Sequence, residues 1–276
     1  MFAIPKERTF FEVYQRLLLI KIYHIMKKVL LLICLVCGFT TVSAQEGGHV
    51  APECTEWYSP QPPKVQPGDK PGNPPSDAII LFDGKNLDQW VSIEDGKKVP
   101  AKWEVKDGAM VVVPRTGTIQ TKEYFGDCQL HIEFKTPKPA SSVNKLQMKG
   151  NSGIFLQSIY EVQVLDGEDN PTYVNGMVGS IYKQSAPLAN AFTGTEKWQV
   201  YDIYWKAPKF GTDGVMESPA MITVVLNGIL VQNNYILKGN TPYIGFPTYK
   251  PHGRLPLLLQ DHGVPVAYRN IWIRNL

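Results

Sequence analysis

A pair of polar side chains interrupts an apolar strand pattern near the middle of the chain. Residues 150–166 are expected to form two short strands, and the second contains Glu161 and Gln163. Because successive side chains of a strand point to opposite faces, these two share one face. The opposite face would then carry only apolar and aromatic side chains, namely Tyr160, Val162 and Val164. One face can therefore pack in a core while the other holds a polar ligand.

A second strand pattern, residues 257–263, adds comparable chemistry. Side-chain parity puts Gln260 and His262 on one face of it. If both strands lie in one curved sheet, a carboxylate, two carboxamides and an imidazole line a concave surface that suits sugar hydroxyl groups. Aromatic rings would cover the apolar faces of the sugar, and the candidates are Trp90, Trp103, Trp198, Trp205 and Tyr182. The core is the preferred place for Trp103 and Trp198, since large aromatic residues dominate sandwich cores.

Each polar candidate also has a purely structural interpretation. Glu161 would pair with an arginine across the sheet, and His262 would be a structural histidine at a strand end. Asp166 and Asp261 end their strands, where carboxylates cap turns, so both rank below Glu161. Arg269 would form a salt bridge that fastens the last strand.

Hairpin signals and short strands indicate an all-β domain. Asn227-Gly228 and Asp107-Gly108 supply the positive φ angles of two-residue hairpin turns, between strands 221–226 and 229–232 and between strands 103–106 and 109–113. Further strands are predicted at 78–81, 128–135, 153–156, 160–165, 198–206, 256–261 and 268–274. No stretch shows a sustained helical period, and no internal repeat favours a propeller. The pattern predicts a sandwich or jelly roll of antiparallel strands.

The first residues have the pattern of a targeting segment. Met26-Lys27-Lys28 precedes an apolar run and the small-residue site Val42-Ser43-Ala44, which predicts a signal peptide over residues 26–44, an upstream extension before Met26, and a periplasmic or secreted product. A signal anchor is the alternative, and the charges in residues 21–28 disfavour it. No stable membrane insertion is expected after cleavage.

Charge and cysteine usage exclude several classes of function. The chain has 28 basic and 25 acidic residues; residues 1–44 hold six and two of these, which leaves 22 and 23, a net charge of −1. No basic stripe remains, so no nucleic-acid partner is predicted. Cys54 and Cys128 also remain, and they would be able to pair in an oxidising compartment. Their spacing is not that of a metal site.

Proline spacing divides the rest of the chain. Seven prolines between Ser59 and Pro75 favour extended backbone, so residues 45–75 are predicted to be a linker or a strap lying on the domain. Residues 76–276 fit one all-β domain.

Six short motifs then resemble, in order, the 3-keto-disaccharide hydrolase domain family, a former domain of unknown function. They are LFDGK (81–85) with Trp90, NSGIF (151–155), YEVQVLD (160–166), LNG (226–228), QDHG (260–263) and RNI (269–271). The resemblance implies a concanavalin-like jelly roll of two antiparallel sheets. It also implies cleavage of glycosides oxidised at C3, by elimination across C1 and C2 and hydration of the product.

The chemistry implied by this resemblance requires a base, an acid and a group that stabilises an enolate. Glu161 and His262 are the base and acid candidates, in either order. Lys149 and Arg269 are candidates for the enolate, and Asn151, Gln163, Tyr182 and Gln260 complete the predicted substrate-binding set.

Three alternatives remain open. A divalent metal held by Glu161, Asp166 and His262 would replace the cationic group, although the spacing does not demand one. A carbohydrate-binding module without catalysis would use the same concave face. A conventional endoglycosidase needs two carboxylates, and Gln163 occupies the position where the second is expected.

Overall fold

The computed structural model describes Gln15 and residues 18–27, 51–139 and 146–276. Residues 28–44 of the predicted signal peptide lie outside these ranges. Residues 18–27 are helical, and within the described ranges no helix has the length and apolar character needed to cross a membrane. The chain divides into two units, Met1–Pro63 and Lys64–Leu276. A short 3-10 helix in the first unit spans Pro52–Thr55.

The second unit is built from two large antiparallel sheets, which confirms the predicted all-β sandwich. The eight strands of the large sheet are β1 (Ile79–Phe82), β4 (Glu104–Lys106), β5 (Ala109–Val111), β7 (Cys128–Lys135), β10 (Trp198–Lys206), β13 (Met221–Leu226), β14 (Ile229–Ile236) and β16 (Ala267–Asn275). Its order is β14-β13-β10-β7-β16-β5-β4, and β1 also pairs with β16.

The small sheet has six strands and carries the polar segments singled out above. They are β2 (Trp90–Glu94), β3 (Lys97–Pro100), β6 (Ile119–Thr121), β8 (Ser152–Leu156), β9 (Tyr160–Val164) and β15 (Leu258–Leu259), in the order β3-β2-β6-β15-β8-β9. A separate two-stranded ribbon joins β11 (Lys209–Phe210) to β12 (Met216–Ser218). Two further 3-10 helices span Leu146–Met148 and Val174–Gly176.

Both predicted hairpins are confirmed. Asn227-Gly228 joins β13 to β14, and Asp107-Gly108 joins β4 to β5, with positive φ at all four residues. The hairpin of β2 and β3 was not among the predicted strands, although Asp95-Gly96 gives it the same turn signal, with φ of 49° and 75°. The strand predicted over 256–261 is regular only at Leu258–Leu259.

Apolar side chains from the two sheets form one core. Tyr160, Val162 and Val164 of β9 are buried in it, as parity predicts. Burying a large apolar side chain contributes roughly 1.5–3 kcal/mol, so this one face fixes β9 strongly. Glu161 and Gln163 must consequently point to the outer face of the small sheet.

Two hydrogen bonds between the layers, and a third within the small sheet, fix the position of the site-bearing strands. Tyr201 Oη donates to the carbonyl of Gln163 at 2.8 Å, and Tyr268 Oη donates to Ser152 Oγ at 2.6 Å. Ser152 Oγ in turn donates to the carbonyl of Gln260 at 2.6 Å. Because these groups are buried, loss of one partner leaves an unsatisfied polar atom at a cost of about 1–3 kcal/mol. The large sheet therefore holds both polar segments of the small sheet in register.

The outer face of the large sheet carries a buried histidine beneath the proline-rich segment. His131 Nδ1 lies 2.7 Å from Asp202 Oδ1, and its ring stacks on Trp272. The carbonyl of Gly72 accepts hydrogen bonds from Asn270 Nδ2 and Trp272 Nε1, each at 2.9 Å. Any Cβ at Gly72 would lie 3.3 Å from the imidazole. The proline-rich segment is therefore packed against the sheet at Gly72.

We expect His131 to make the stability of the domain depend on pH. Burial opposes its charge, but hydrogen bonds and charge interactions with Asp202 and Glu133 outweigh this and raise its pKa from 6.5 to about 9. A raised folded-state pKa gives stabilisation that is complete below pH 6.5 and is lost as the pH rises through about 9. Relative to His131→Gln, the wild-type free energy of unfolding should fall over that interval. Urea unfolding of both proteins at pH 6 and 9.5 measures this, and a constant difference would contradict it.

The two cysteines of the described residues are free thiols. Cys54 is exposed, and Cys128 is buried in the core at the start of β7. Burial raises the pKa of the Cys128 thiol to about 12, so it is an unreactive core residue.

Candidate functional site

A pocket of about 250 Å³ opens on the outer face of the small sheet. Its lining comprises Asn151, Phe155, Glu161, Gln163, Tyr182, Thr241, Tyr243, Gln260 and His262. Six of these are residues that the sequence predicted for the site. Register explains the convergence, because Leu258 pairs with Phe155 and Phe155 pairs with Glu161 across β15, β8 and β9. The volume is below the roughly 300–1,000 Å³ of pockets for drug-sized ligands and suits a single sugar ring.

Glu161 is a buried carboxyl that has no hydrogen-bond partner among the described residues. Its side chain lines the pocket, the residue is 5% exposed, and no residue within 51–139 or 146–276 donates a hydrogen bond to its carboxylate. Burial raises the pKa of Glu161 from 4.5 to about 8. A carboxyl of this kind exchanges protons near neutral pH, as a general acid or base must.

Backbone and hydroxyl contacts hold the main chain around Glu161. Its amide donates to Thr241 Oγ1 at 3.0 Å, and its carbonyl accepts from the Tyr182 amide at 3.1 Å. The neighbouring Gln163 exchanges similar bonds with Gly179 and Ser180. The outer edge of β9 is thus covered by the segment that carries Tyr182. Glu161 therefore has a fixed backbone, with a side chain left free for a ligand.

A network of carboxamides forms the wall next to Glu161. Gln163 Nε2 donates to Gln147 Oε1 at 3.1 Å, and Asn151 Nδ2 donates to the carbonyl of Gln147 at 2.7 Å. Gln147 is itself held by Thr172 Oγ1 and the carbonyl of Gly176, each at 2.8 Å. The Oε1 atom of Gln163 is buried and has no hydrogen-bond partner in the described structure. An unsatisfied buried acceptor is costly, so this oxygen is available for a ligand hydroxyl group.

Aromatic rings and one cation form the opposite rim. Tyr182 Oη lies 2.8 Å from Tyr173 Oη, and burial with this hydrogen bond raises the pKa of Tyr182, so its hydroxyl keeps its proton at neutral pH. Lys183 Nζ lies 4.4 Å from the centre of the Tyr243 ring and 5.9 Å from that of Tyr182. Phe155, from β8, completes the aromatic surface.

His262 stands at the mouth of the pocket and is exposed. The preceding residue fixes the turn that presents it, because Asp261 accepts hydrogen bonds from the amides of Gly117 at 3.0 Å and Gly263 at 2.8 Å. The prediction that Asp261 caps a turn is confirmed. Gln260 continues the pairing of β15 through its amide, which donates to the carbonyl of Gly153 at 3.0 Å.

Space for the Glu161 carboxylate depends on Gly153, which pairs with Gln163 across β8 and β9. A Cβ at Gly153 would lie 2.6 Å from Glu161 Oε1 and 2.6 Å from Phe155 Cε2. The φ of Gly153 is not in the left-handed region, so glycine is required for space and not for conformation.

Lys149 and Asp166 lie outside the pocket lining. Lys149 Nζ forms an ion pair with Asp166 Oδ1 at 2.9 Å. The fully buried Asp166 also accepts from Thr136 Oγ1 at 3.0 Å, from Thr195 Oγ1 at 2.6 Å and from the amide of Glu168 at 3.0 Å. These partners satisfy the carboxylate, as buried charges require. Neither side chain is free for an enolate or for a metal, so the structure corrects both predictions.

Arg269 lies on the other sheet, which corrects its predicted place in the site. Its Nε donates to Glu133 Oε2 at 2.6 Å, and its guanidinium lies 4.1 Å from the centre of the Trp198 ring. Strand β16 belongs to the large sheet, and Arg269 fastens this last strand through a salt bridge, as its structural interpretation predicted.

The predicted metal ligands are not assembled. Asp166 is occupied by the partners described above, and in the described part of the chain no group of three or more histidine, cysteine or acidic residues is arranged so that it could hold a metal ion. Glu161 and His262 share the pocket with carboxamide oxygens, which are weaker ligands for a divalent ion than carboxylates.

Sequence reasoning missed three lining residues, Phe155, Thr241 and Tyr243. Phe155 was within reach, because it has the parity of Gly153 and faces Glu161 across the hairpin. Thr241 and Tyr243 come from a loop without a periodic pattern. Trp90, Trp103 and Trp205 are core residues, and Trp198 lies against Arg269, so none of these four rings lines the pocket.

Comparison with known proteins identifies the family. The model of the 3-keto-alpha-glucoside-1,2-lyase-like domain matches residues 77–274. The chain belongs to this family. A crystal structure of a candidate glycosyl hydrolase from Parabacteroides distasonis is 49% identical, with 83% of this chain and 98% of that chain covered and a TM-score of 0.76. The family model and this relative support a family of carbohydrate-active enzymes. No curated protein matches the sequence.

A second candidate glycosyl hydrolase from P. distasonis shares the fold at lower identity. The two sequences are 20% identical, the match covers 72% of this chain and 94% of that chain, and the TM-score is 0.55. The two chains therefore share the sandwich fold despite large sequence differences.

Proposed function

We propose that this family member is a secreted enzyme that cleaves 3-keto-glycosides by elimination followed by hydration. One observation carries the proposal: the buried carboxyl of Glu161, to which none of the described residues donates a hydrogen bond, lies in a pocket for one sugar ring with His262 at its mouth. The family match supports the substrate class. The signal pattern of residues 26–44 supports secretion.

In the proposed first step Glu161 is the base. A ketone at C3 acidifies the hydrogen on C2; the carboxylate takes that proton, and the electron pair of the C2–H bond forms an enolate with its charge on the C3 oxygen. The raised pKa of Glu161 makes it a stronger base than an ordinary carboxylate. The buried position suits it to the ring carbons, because the ring must fill the pocket while the leaving group extends outwards.

His262 is the acid of the second step. The enolate re-forms the C3 carbonyl, a double bond forms between C1 and C2, and the C1–oxygen bond breaks. His262 gives its proton to the departing oxygen, which must lie near the mouth where this side chain is exposed. Hydration reverses the roles: His262 takes a proton from water as its oxygen adds to C1, and the Glu161 carboxyl, whose proton has exchanged with solvent, gives a proton to C2.

Neutral donors stabilise the enolate in this scheme. The two predicted cations, Lys149 and Arg269, are engaged elsewhere. Tyr182 keeps a proton on its hydroxyl group, and Gln260 presents a carboxamide, so both supply hydrogen-bond donors to the C3 oxygen. Preorganised donors of this type contribute about 10²- to 10³-fold in rate. The free Oε1 of Gln163 accepts from a sugar hydroxyl group.

Paired-carboxylate hydrolysis fits the pocket less well. Glu161 is its one acidic lining residue, and Gln163 stands two residues further along the same face. Retaining and inverting enzymes both need a second carboxyl group roughly 5–10 Å from the first. Asp261, the next acid along the chain from Gln260, is bound to the amides of Gly117 and Gly263.

Incubation with a 3-keto-disaccharide and with its unoxidised parent tests the proposal. We expect release of sugar from the oxidised compound alone. Release from the parent at a similar rate would identify a conventional glycosidase. Binding of both without release would identify a carbohydrate-binding module.

Substitution of Gly153 tests the packing around Glu161. Gly153→Ala places a methyl group against Glu161 Oε1 and Phe155, which displaces the carboxylate from its position. Because a displacement of about 1 Å can cost roughly 10²-fold in rate, kcat/KM for a 3-keto-glycoside should fall by about 10- to 100-fold. Steady-state kinetics, with thermal unfolding as a check of the fold, measures this effect.

Gly253→Ala is the matched control. A Cβ there meets nothing within 4 Å, and φ is not left-handed, so kcat/KM should not change. A folded Gly153→Ala protein with wild-type kcat/KM would show that Glu161 does not need its present position.

A further inference from the structure

The loop of residues 240–248 is a rigid wall of the pocket. The amide of Asn240 donates to the carbonyl of Thr248 at 3.0 Å, and the amide of Thr248 donates to Asn240 Oδ1 at 2.9 Å. Gln184 Nε2 donates to the carbonyls of Gly239 and Asn240, each at 2.9 Å. Thr241 accepts from the Glu161 amide. The base of the loop is therefore tied both to itself and to the strand that carries Glu161.

The tip of this loop is apolar and exposed. Residues 242–247 have the sequence PYIGFP, in which the tyrosine hydroxyl is the one polar side-chain group. Tyr243 is 70% exposed, Ile244 82% and Phe246 92%. Lys183 Nζ fixes the tip by donating to the carbonyl of Tyr243 at 2.6 Å. Large apolar side chains that are exposed and held in place mark a binding surface.

Tyr243 joins this tip to the pocket, because its ring lines the cavity that contains Glu161. A cavity of about 250 Å³ accommodates one sugar ring, so the group attached at C1 must lie outside it. We propose that the tip, residues 242–247, binds the leaving group, and that the preferred substrates are 3-keto-glycosides with an aromatic aglycone. This inference rests on the proposed function.

The chemistry of the tip favours an aromatic ring over a second sugar. A second sugar would lose water from its hydroxyl groups and would find a single hydroxyl group among the side chains of residues 242–247. Unpaired hydroxyl groups cost free energy, whereas a flat apolar ring gains it by covering Ile244 and Phe246. The aromatic ring of Tyr243 also offers a stacking surface next to the pocket.

The test compares the benzyl and methyl 3-keto-glucosides of one anomer. Both release an alcohol of similar acidity, so leaving-group chemistry does not separate them. The wild type should show kcat/KM about tenfold higher for the benzyl compound, equivalent to about 1.4 kcal/mol. In Ile244→Ser and Phe246→Ser the ratio should fall towards one, because kcat/KM for the benzyl compound falls more than kcat/KM for the methyl compound. Ile229→Ser, an exposed position on the large sheet, is the matched control and should keep the tenfold ratio.

Calorimetric binding of the same two compounds to Glu161→Gln separates this inference from the proposed function. Tenfold tighter binding of the benzyl compound, lost when Phe246→Ser is added, supports the inference even if the wild type turns over neither compound. Equal binding of the two compounds overturns it, whatever the wild type cleaves. Sedimentation velocity measures whether the protein forms a dimer. If Phe246→Ser abolishes a dimer and the benzyl-to-methyl ratio of the wild type is one, the tip is a subunit contact and the proposal is overturned.

Discussion

Glu161→Gln is expected to lower kcat/KM for a 3-keto-glycoside by about 10²- to 10⁴-fold, the usual contribution of a general base. Glutamine keeps the shape of the side chain and its place beside Gly153, but it cannot accept a proton from C2. Burial alone raises the pKa of Glu161, and no described residue donates a hydrogen bond to its carboxylate. The substitution therefore breaks no side-chain contact of the described residues.

The same variant should be more stable than the wild type at high pH. The pKa of Glu161 is raised from 4.5 to about 8, so its stabilising contribution is complete below pH 4.5 and is lost as the pH rises through about 8. At pH 9 burial of the ionised carboxylate then lowers the wild-type free energy of unfolding by roughly 4 to 5 kcal/mol, at 1.36 kcal/mol per pKa unit. Glutamine removes this ionisation. Loss of activity with a gain in stability would be the sign of a strained functional carboxyl.

Initial rates and urea unfolding at pH 5 and 9 measure both effects. For a 4-nitrophenyl 3-keto-glycoside, whose leaving group needs no proton from His262, wild-type kcat/KM should rise with pH until Glu161 is ionised, near pH 8. This dependence should be absent from the residual activity of Glu161→Gln. A variant that keeps most of its activity, or that is equally destabilised at both pH values, would contradict the role of Glu161.

His262→Ala should show a loss that depends on the leaving group. For a sugar or alkyl leaving group, which needs a proton as it departs, kcat/KM should fall by about 10²- to 10³-fold. For 4-nitrophenol, which departs readily as an anion, the fall should be within about tenfold, since general acid catalysis then has little to contribute. His262 is exposed, and its turn is held by Asp261, so the fold should not change.

The comparison of two leaving groups in one variant supplies its own control. A structural disturbance would lower both rates by the same factor. Equal losses with the alkyl and the 4-nitrophenyl compounds would therefore exclude His262 as the acid.

Side-chain parity predicted correctly which side chains of β9 pack in the core and which line the pocket, because a buried sheet enforces this alternation. A shift of one residue in β9 would bring Glu161 into the core and expose Val162, so the register has one low-energy solution. The same argument brought Gln260 and His262 to the pocket. Applied to β8, the same argument would also have found Phe155, which was not predicted and which the register sets opposite Glu161.

Parity gives the face of a strand but not the sheet to which the strand belongs. Arg269 is therefore on the large sheet with Glu133, although its position in the motif suggested the site. Lys149 is close in sequence to Asn151, which lines the pocket, but its ammonium group forms an ion pair with Asp166. That pair is a tertiary contact, which strand parity does not predict. The 240–248 loop has neither period nor polar motif, so its place beside Glu161 follows only from the bonds at its base.

Isotopic labelling of the hydrogen at C2 is the most direct test of the central claim that Glu161 starts an elimination. A 3-keto-glycoside deuterated at C2 should be cleaved with a primary isotope effect on kcat/KM, and the released sugar should have lost its deuterium to solvent. The intact substrate and the released 3-keto-sugar, incubated without enzyme, control for spontaneous exchange. Cleavage at the same rate as the undeuterated compound, with the deuterium retained at C2, would contradict the elimination and the role of Glu161 as its base.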